Sequence, residues 1–445
     1  MTKVLLVGNG AREHAIAEAV VNSGGELYSY MSAKNPAIAK LSKEFAVGDT
    51  CKPAEIAKWA ASKKAAIAVI GPEAPLEAGV VDALEKSGIA VASPDKSAAR
   101  LETDKAFTRG LMKKYKVPGT PIFKILNDIG EIDGFVDSTD MELVVKPAGL
   151  TGGKGVKIQG EHLKDKAEIK AYAKEVLSGK VGTINRVVIE EKLVGEEFTL
   201  QAFVSPDEIL GMPMVQDHKR AYDGDVGPNT GGMGSYTGKG YVLPFLTKED
   251  YEFGLKVMRE AVRALRKETG STYKGALYGQ FIVTSNGPKL IEFNARFGDP
   301  EAMNVLTLFK GDFVDVLEAE FAGGLDGLDV SFADKATVCK YLVPIGYPEK
   351  PQKGAEITVD EAAVKKAGAR LYYASVSEQG GKIVTSGSRA VAVIASGDSI
   401  SAAEKIAERS TRFVKGPLEH RKDIGTEDLI QKRTAHMRAV RGVTL

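Results

Sequence analysis

The amino-acid sequence predicts a chain of mixed α/β and α+β class. It has an N-terminal open parallel-sheet domain, a middle region of strands under a glycine-rich lid, and a small α+β C-terminal domain. Three observations lead there. A short, almost wholly apolar run, Lys3-Val4-Leu5-Leu6-Val7, feeds through Gly8-Asn9-Gly10 into a helical pattern, and residues 65–70 repeat the scheme into Gly71-Pro72. Asn286-Gly287 sits between two long strand-like runs, a strong hairpin signal. After Ala322-Gly323-Gly324-Leu325, strands near 336–343 and 390–394 and a helix near 401–413 make a compact α+β set.

At 445 residues the chain has room for about three domains of ordinary size, and a hydrophobic content of 43% supplies their cores. Lys plus Arg is 60 against 59 for Asp plus Glu, so no net field points to nucleic acid or an anionic membrane as partner. Cys51 and Cys339 stand far apart without metal-type spacing, as inert thiols in a reducing cytoplasm would. The chain opens on a strand, and no apolar run approaches the roughly 18 residues of a membrane span, so a cytoplasmic location is expected.

In chain order, Gly8 to His14 link the first strand to a helix read at 15–21. Free N–H groups at such a helix start point at whatever sits above the strand end, which makes an anion site. A dinucleotide fold is the rival. It is weakened because Glu13 holds the third glycine position and Ser32-Ala33-Lys34 stand where an acid is needed, about 20 residues on. A helix at 53–63 and the strand at 65–70 lead into Gly71-Pro72-Glu73-Ala74-Pro75-Leu76. Loops at the carboxyl ends of neighbouring parallel strands lie together, so the two should share one ligand. Glu73 reads equally as a ligand contact or as an acid favoured by a helix N-terminus.

Thr103-Asp104 caps a helix carrying Lys105. Pro118 and Pro121 end that pattern, and a strand at 142–147 follows, ending on Lys146 before Ala148-Gly149-Leu150-Thr151-Gly152-Gly153-Lys154-Gly155. Four glycines in seven residues are costly to order, and a lid whose N–H groups reach phosphates would justify them, with Lys146 and Lys154 supplying charge. It is not a Walker A loop, since no helix opens with Gly-Lys-Ser/Thr; a plain surface loop is the alternative. The strand at 187–193 runs into a polar hinge before Glu196-Glu197. Gln216 to Tyr222 and Gly227 to Gly234 form a long polar segment ahead of a helix at 248–267, and such segments are often functional. His218 there is either structural or a ligand contact.

In the last strand of the hairpin, Lys289-Leu290-Ile291-Glu292-Phe293-Asn294, Glu292 and Asn294 share one face. A carboxylate and an amide oxygen converging on one spot suit a hard cation such as Mg²⁺; a merely wet edge strand is the alternative. Arg296, Asp299 and Glu301 follow beside that site. A three-residue loop, Ser285-Asn286-Gly287, would set Gln280 opposite Glu292 as a third oxygen ligand, whereas a two-residue Asn-Gly turn would set it opposite Phe293; the longer loop is expected. In the C-terminal region Arg421-Lys422-Asp423-Ile424-Gly425 reads as a capped turn, with no chemistry of its own.

These motifs in order, from Val4 to Gly425, with Lys105-Ala106-Phe107-Thr108, Gln216-Asp217-His218-Lys219-Arg220 and Glu292 to Glu301 among them, resemble the phosphoribosylamine–glycine ligase family of ATP-grasp enzymes. The resemblance implies an N-terminal domain at 1–102, a central ATP-grasp domain at 103–122 and 193–325, a lid at 123–192 and a C-terminal domain at 326–445. It implies ATP as co-substrate, with glycyl phosphate formed first and displaced by the amine of 5-phosphoribosylamine, and no covalent nucleophile. Lys105, Lys146, Gly152, Gly153, Lys154, Gly155, Glu190, Glu191, Leu193 and Glu197 would meet ATP; Gln280, Glu292 and Asn294 would hold Mg²⁺ or Mn²⁺. Arg296, Asp299 and Asp217 would act at the reacting groups. Gly10, Arg12, Glu13, Gly71, Pro72 and Glu73 would face the phosphoribosyl end, and His218, Lys219, Asn229, Thr230 and Gly298 the rest of the substrate pocket. No general base is assigned. A monomer is expected, with a weak dimer as the alternative. One departure is Ala148, where many members carry aspartate. Another ATP-grasp carboxylate–amine ligase would share the lid and the metal strand but lack Gln216 to Arg220 as found here; a non-catalytic nucleotide-binding protein would bind ATP without turnover, and intact Glu292 and Asn294 argue against it.

Overall fold

The computed structural model describes residues 1–152, 155–206 and 208–442. Its N-terminal sheet has five parallel strands, Lys3–Val7 (β1), Glu26–Met31 (β2), Glu44–Val47 (β3), Ile67–Ile70 (β4) and Ala90–Val91 (β5), in the order β3-β2-β1-β4-β5. Strand order reverses between β1 and β4, and ligands of open sheets sit outside the strand ends at such a switch. Both glycine loops lie there, since Val7 pairs with Ile70. The helix Ala11–Asn22 begins earlier than its apolar pattern, because Glu13 Oε2 accepts the Gly10 N–H at 2.5 Å and closes the first turn.

Next come Phe123–Leu126 (β6), Leu143–Pro147 (β7), Lys157–Ile158 (β8) and Val187–Glu191 (β9), an antiparallel sheet in the order β6-β9-β7-β8. Leu126, Ile132, Val145, Ile169 and Ile189 give it a hydrophobic core separate from the main one, so it packs as a unit of its own.

Downstream lie Glu196–Val204 (β10), Ile209–Gly211 (β11), Val215–Asp217 (β12), the ribbon Arg220–Tyr222 (β13) with Val226–Asn229 (β14), Gly234–Thr237 (β15), and the hairpin Gly275–Thr284 (β16) and Gly287–Asn294 (β17). A ribbon of Phe309–Lys310 (β18) with Ser331–Phe332 (β19) precedes Ala336–Pro344 (β20), Glu356–Val359 (β21), Ala369–Tyr373 (β22), Val376–Gln379 (β23), Lys382–Thr385 (β24) and Val391–Gly397 (β25). One ten-stranded sheet runs through both regions on the path β17-β16-β10-β12-β15-β20-β25-β22, with β11 beside β10 and Leu418–Glu419 beside β20 off it, and its seam is β15 against β20, Ser235 beside Cys339. Leu200 and Phe281 turn to one face, where both meet Gly254 of the long helix Lys248–Thr269. Strand alternation turns Thr199 and Gln280 to the other face, which is polar.

The hairpin corrects one expectation and keeps its result. Thr284 pairs with Gly287, so the loop is the two residues Ser285-Asn286, not three. Gly287 takes the left-handed conformation, φ +88°, immediately after the turn and inside the ladder. That turn alone would face Gln280 with Ile291. A bulge inserts Ile291 between Leu290 and Glu292 and brings Gln280 opposite Glu292.

Candidate active site

β17 forms one edge of the large sheet, with Glu292 opposite Gln280 and Asn294 opposite Tyr278. Asn294 Oδ1 accepts from Arg296 Nη2 at 3.2 Å. Among the described residues none hydrogen-bonds or ion-pairs with the Glu292 carboxylate. Desolvation raises the pKa of Glu292, but Lys219, Lys105, Lys146 and Arg296 more than reverse this and hold it below the usual range. An anionic oxygen among cations, with an amide oxygen two residues on, fits a hard divalent cation. Gln280 faces the pair, yet its amide is engaged: Oε1 accepts from Lys219 Nζ at 2.6 Å and Nε2 donates to Glu197 Oε2 at 2.5 Å.

A cleft lined by Lys105, Lys146, Glu190, Ile291 and Glu292 opens between the small antiparallel sheet and β17. Lys146 Nζ lies 2.7 Å from Glu190 Oε2 and donates to Ile291 O at 3.2 Å. Glu190 is buried and held by Arg109 as well, so its carboxylate orients cations instead of facing the cleft alone. Glu191 Oε1 accepts the Ile122 N–H at 2.7 Å, tying β9 to the connection before β6 just ahead of Leu193. Gly149 needs to be glycine, because a Cβ would lie 2.2 Å from Thr183 Oγ1. Gly152 is left-handed, at φ +58°, and Gly155 O accepts from the Tyr172 hydroxyl at 2.7 Å. Gly153 and Lys154 lie outside the described residues.

The N-terminal loops meet the same site from the other side. Glu13 Oε1 accepts from Arg12 Nε at 2.6 Å, and its carboxylate fills the space over Gly71, where a Cβ would be 2.1 Å away. Pro72 packs beside Gly8. Arg12 Nη1 donates to Phe297 O at 3.1 Å, and a Cβ on Gly10 would lie 3.7 Å from Asp299 Oδ2. Glu73 pairs with Arg296 at 3.5 Å; burial raises its pKa, and Arg296 and Arg12 bring it below the ordinary value.

Asp217 and Lys219 turn toward this centre. Asp217 Oδ1 would lie 2.7 Å from a Cβ on Gly232, which also meets Pro300. Burial, with Glu301 second, pushes the Asp217 carboxyl well up, and burial likewise raises Glu301. Thr230 Oγ1 donates to Lys219 O at 2.8 Å and accepts the Gly232 N–H at 3.1 Å, so it shapes the loop. Asn229 pairs with Arg220 in the β13–β14 ribbon. The Gly298 N–H donates to Gln201 Oε1 at 2.7 Å, and a Cβ there would strike Tyr278 and Glu301. His218 is not brought in. Its ring is buried against Tyr236, centroids 5.5 Å apart, with Asp225 and Arg421 the charges that act on it most strongly; burial lowers its pKa to about 3. It lies between Asp217 and Lys219 in sequence, and alternation along extended chain turns it the opposite way.

Four contributors escape sequence reasoning. Tyr341 donates to Asp299 Oδ1 at 2.5 Å, and Arg389 Nη1 reaches Asp299 O at 3.1 Å and Gly231 O at 2.6 Å. Both come from the C-terminal region, which sequence reading left without chemistry. Glu102 pairs with Arg296 at 2.9 Å, and Arg109 holds Glu190. None sits in a local motif, and only the folded chain brings them there.

A small antiparallel sheet whose Lys146 reaches a Glu-x-Asn strand, beside an open parallel-sheet domain, defines an ATP-grasp protein. Family models agree: the phosphoribosylglycinamide synthetase N domain matches residues 2–102, its ATP-grasp (A) domain 103–302 and its C domain 337–427. The chain belongs to the phosphoribosylamine–glycine ligase family. It is 52% identical over 438 residues to the phosphoribosylamine–glycine ligase of Methanobrevibacter smithii, covering 98% of this chain and 99% of that one. The Methanocaldococcus jannaschii relative of the same name is 51% identical, covering 99% and 100%. The crystal structure of phosphoribosylamine–glycine ligase from Thermotoga maritima superposes with TM-score 0.80 at 30% identity, over 95% of this chain and 100% of that one. The biotin carboxylase domain of Hydrogenobacter thermophilus 2-oxoglutarate carboxylase shares the fold, with TM-score 0.73 at 16% identity over 98% and 94%.

Proposed function

We propose that this chain joins glycine to 5-phosphoribosylamine using ATP, giving glycinamide ribonucleotide, ADP and phosphate for purine biosynthesis, as a monomer in the cytoplasm. The observation that carries the reading is the contact of the N-terminal anion loop with the turn after the metal strand, Arg12 to Phe297 O and Gly10 beside Asp299. A phosphoribosyl group on Gly10, Arg12 and the Gly71 loop then presents its amine to the place where phosphoryl transfer ends. No helix of the described residues is long and apolar enough to cross a membrane.

A glycine carboxylate oxygen takes the γ-phosphoryl group of ATP and ADP leaves; the amine nitrogen attacks the acyl carbon, the C–O bond to phosphate breaks, and one proton is released. Lys105, Lys146 and Lys219 bring positive charge to the phosphates, and transfer of this kind needs positioning and charge more than a nucleophile. Arg296 and Asp299 flank the acyl group. Mg²⁺ or Mn²⁺, when bound to Glu292 and Asn294, would neutralise charge on the triphosphate. The chain divides for this work into 1–102, the lid at 123–192, the central domain at 103–122 with 193–325, and 326–445.

The test is ADP release with glycine and phosphoribosylamine together, against each alone and against other amino acids. Turnover that requires both supports the reading. Equal turnover with another amino acid, or nucleotide binding without turnover, rejects it.

A further inference from the structure

We infer that Arg109 is a positioning residue for the nucleoside triphosphate: by sharing the Glu190 carboxylate it leaves the Lys146 ammonium charge uncompensated and aimed at the phosphates. The inference rests on the ligase reading above and deepens it.

Arg109 lies on the helix Lys105–Lys114 and is only 3% exposed. Its Nε donates to Glu190 Oε1 at 2.5 Å, and its Nη2 reaches Glu190 Oε2 at 3.2 Å, Leu290 O at 3.0 Å and Ile291 O at 2.7 Å. Nη1 contacts Met112 Sδ at 3.6 Å. In a regular strand consecutive carbonyls point to opposite edges, so one guanidinium cannot take two in succession. The bulge at Ile291 turns both outward, and Arg109 and Lys146 share the second. Arg109 therefore fastens three pieces: the lid strand β9, the strand that carries Glu292, and the ammonium at the end of β7.

Charge counting gives the consequence. Two cations, Arg109 and Lys146, meet the one carboxylate of Glu190 in a buried place, so this trio carries one net positive charge in the cleft that Lys105 and Glu292 also line. Burial works against the Glu190 anion, yet Arg109 and Lys146 hold its pKa at about 2, so the carboxylate stays charged. With Arg109 neutral, Glu190 and Lys146 would form a one-to-one pair. The phosphates would then lose the charge of Lys146 although Lys146 had not been touched.

The experiment is calorimetric titration of the full chain with ADP in the presence of Mg²⁺, with thermal melting to check folding. The variants are Arg109→Lys, Arg109→Gln, and Arg109→Gln combined with Glu190→Gln. Lysine keeps the charge and should bind within about threefold of the original chain; the neutral amide should weaken binding by about tenfold or more. Adding Glu190→Gln frees Lys146 and should restore most of that loss, a recovery that a packing role for Arg109 would not give. Binding by Arg109→Gln equal to the original, or no recovery in the double variant, overturns the inference. If the original chain fails to bind ADP, the ligase reading falls and this inference with it; binding there, with no difference among the variants, sinks the inference alone.

Discussion

The Tyr341 hydroxyl donates to Asp299 Oδ1 at 2.5 Å, so a strand of the C-terminal region touches the turn that follows β17. Burial and Asp299 both push the Tyr341 pKa up, so it stays a donor at any working pH. Tyr341→Phe removes this bond and little volume. The expected result is a stable protein whose kcat/KM for the phosphoribosylamine step falls about tenfold, with KM for ATP unchanged. A change confined to ATP would place Asp299 elsewhere.

Glu292 supplies the one carboxylate of β17, on the face proposed to hold the metal. Glu292→Gln should fold and lose turnover by about two to three orders of magnitude, because the charge opposing the triphosphate is no longer organised by a metal there. Circular dichroism separates loss of fold from loss of chemistry. Near-normal turnover would remove Glu292 from the metal set.

Gly71 faces the Glu13 carboxylate, and a Cβ would stand 2.1 Å from Oε1. Gly71→Ala must displace Glu13 and with it the bonds to Gly10 and Arg12, at a cost of about 1–3 kcal/mol. Steady-state kinetics should show a raised KM for phosphoribosylamine, with KM for ATP and glycine unchanged. Equal rises in all three would mean general loosening.

His14 Nδ1 accepts the Tyr373 N–H at 3.0 Å, joining the N-terminal helix to β22, and burial lowers its pKa to about 3. Glu18 Oε1, 3.7 Å from Nε2, faces the same ring. The folded state keeps His14 neutral, while the unfolded chain takes up a proton below about pH 6.5. Stability from this site is therefore full above pH 6.5 and falls toward pH 3, by up to about 1.4 kcal/mol per pH unit. Urea unfolding at pH 7.5 and 5.5 should show the loss, and His14→Asn, which keeps an acceptor, should reduce it. The same drop in both proteins would clear His14.

Elements whose apolar period matches their burial were legible in the sequence: β1, the helix Pro53–Lys63 and β16 fall where the pattern puts them. The shared face of Glu292 and Asn294 was legible too, because strand alternation alone puts them together. The Gln280 register came out right through a compensation that the residues do not announce, a shorter loop offset by a bulge. The direction of the His218 ring was not legible, because it stands between Asp217 and Lys219 in an extended stretch, where composition does not give direction. Arg389 and Tyr341 were invisible for a different reason: each is ordinary in its own segment and meets Asp299 only across the sheet.

The seam between β15 and β20 governs how the chain can be cut. Thr237 and Thr337 hydroxyls bond across it at 3.0 Å, and every residue of β15 is buried. A fragment ending before Ala336 would carry β15 as a naked edge, inviting pairing with another copy. The C-terminal part is thus the continuation of one sheet, and a split-protein or fusion design has better prospects beside the exposed Gly324, with both halves retained, than by discarding either.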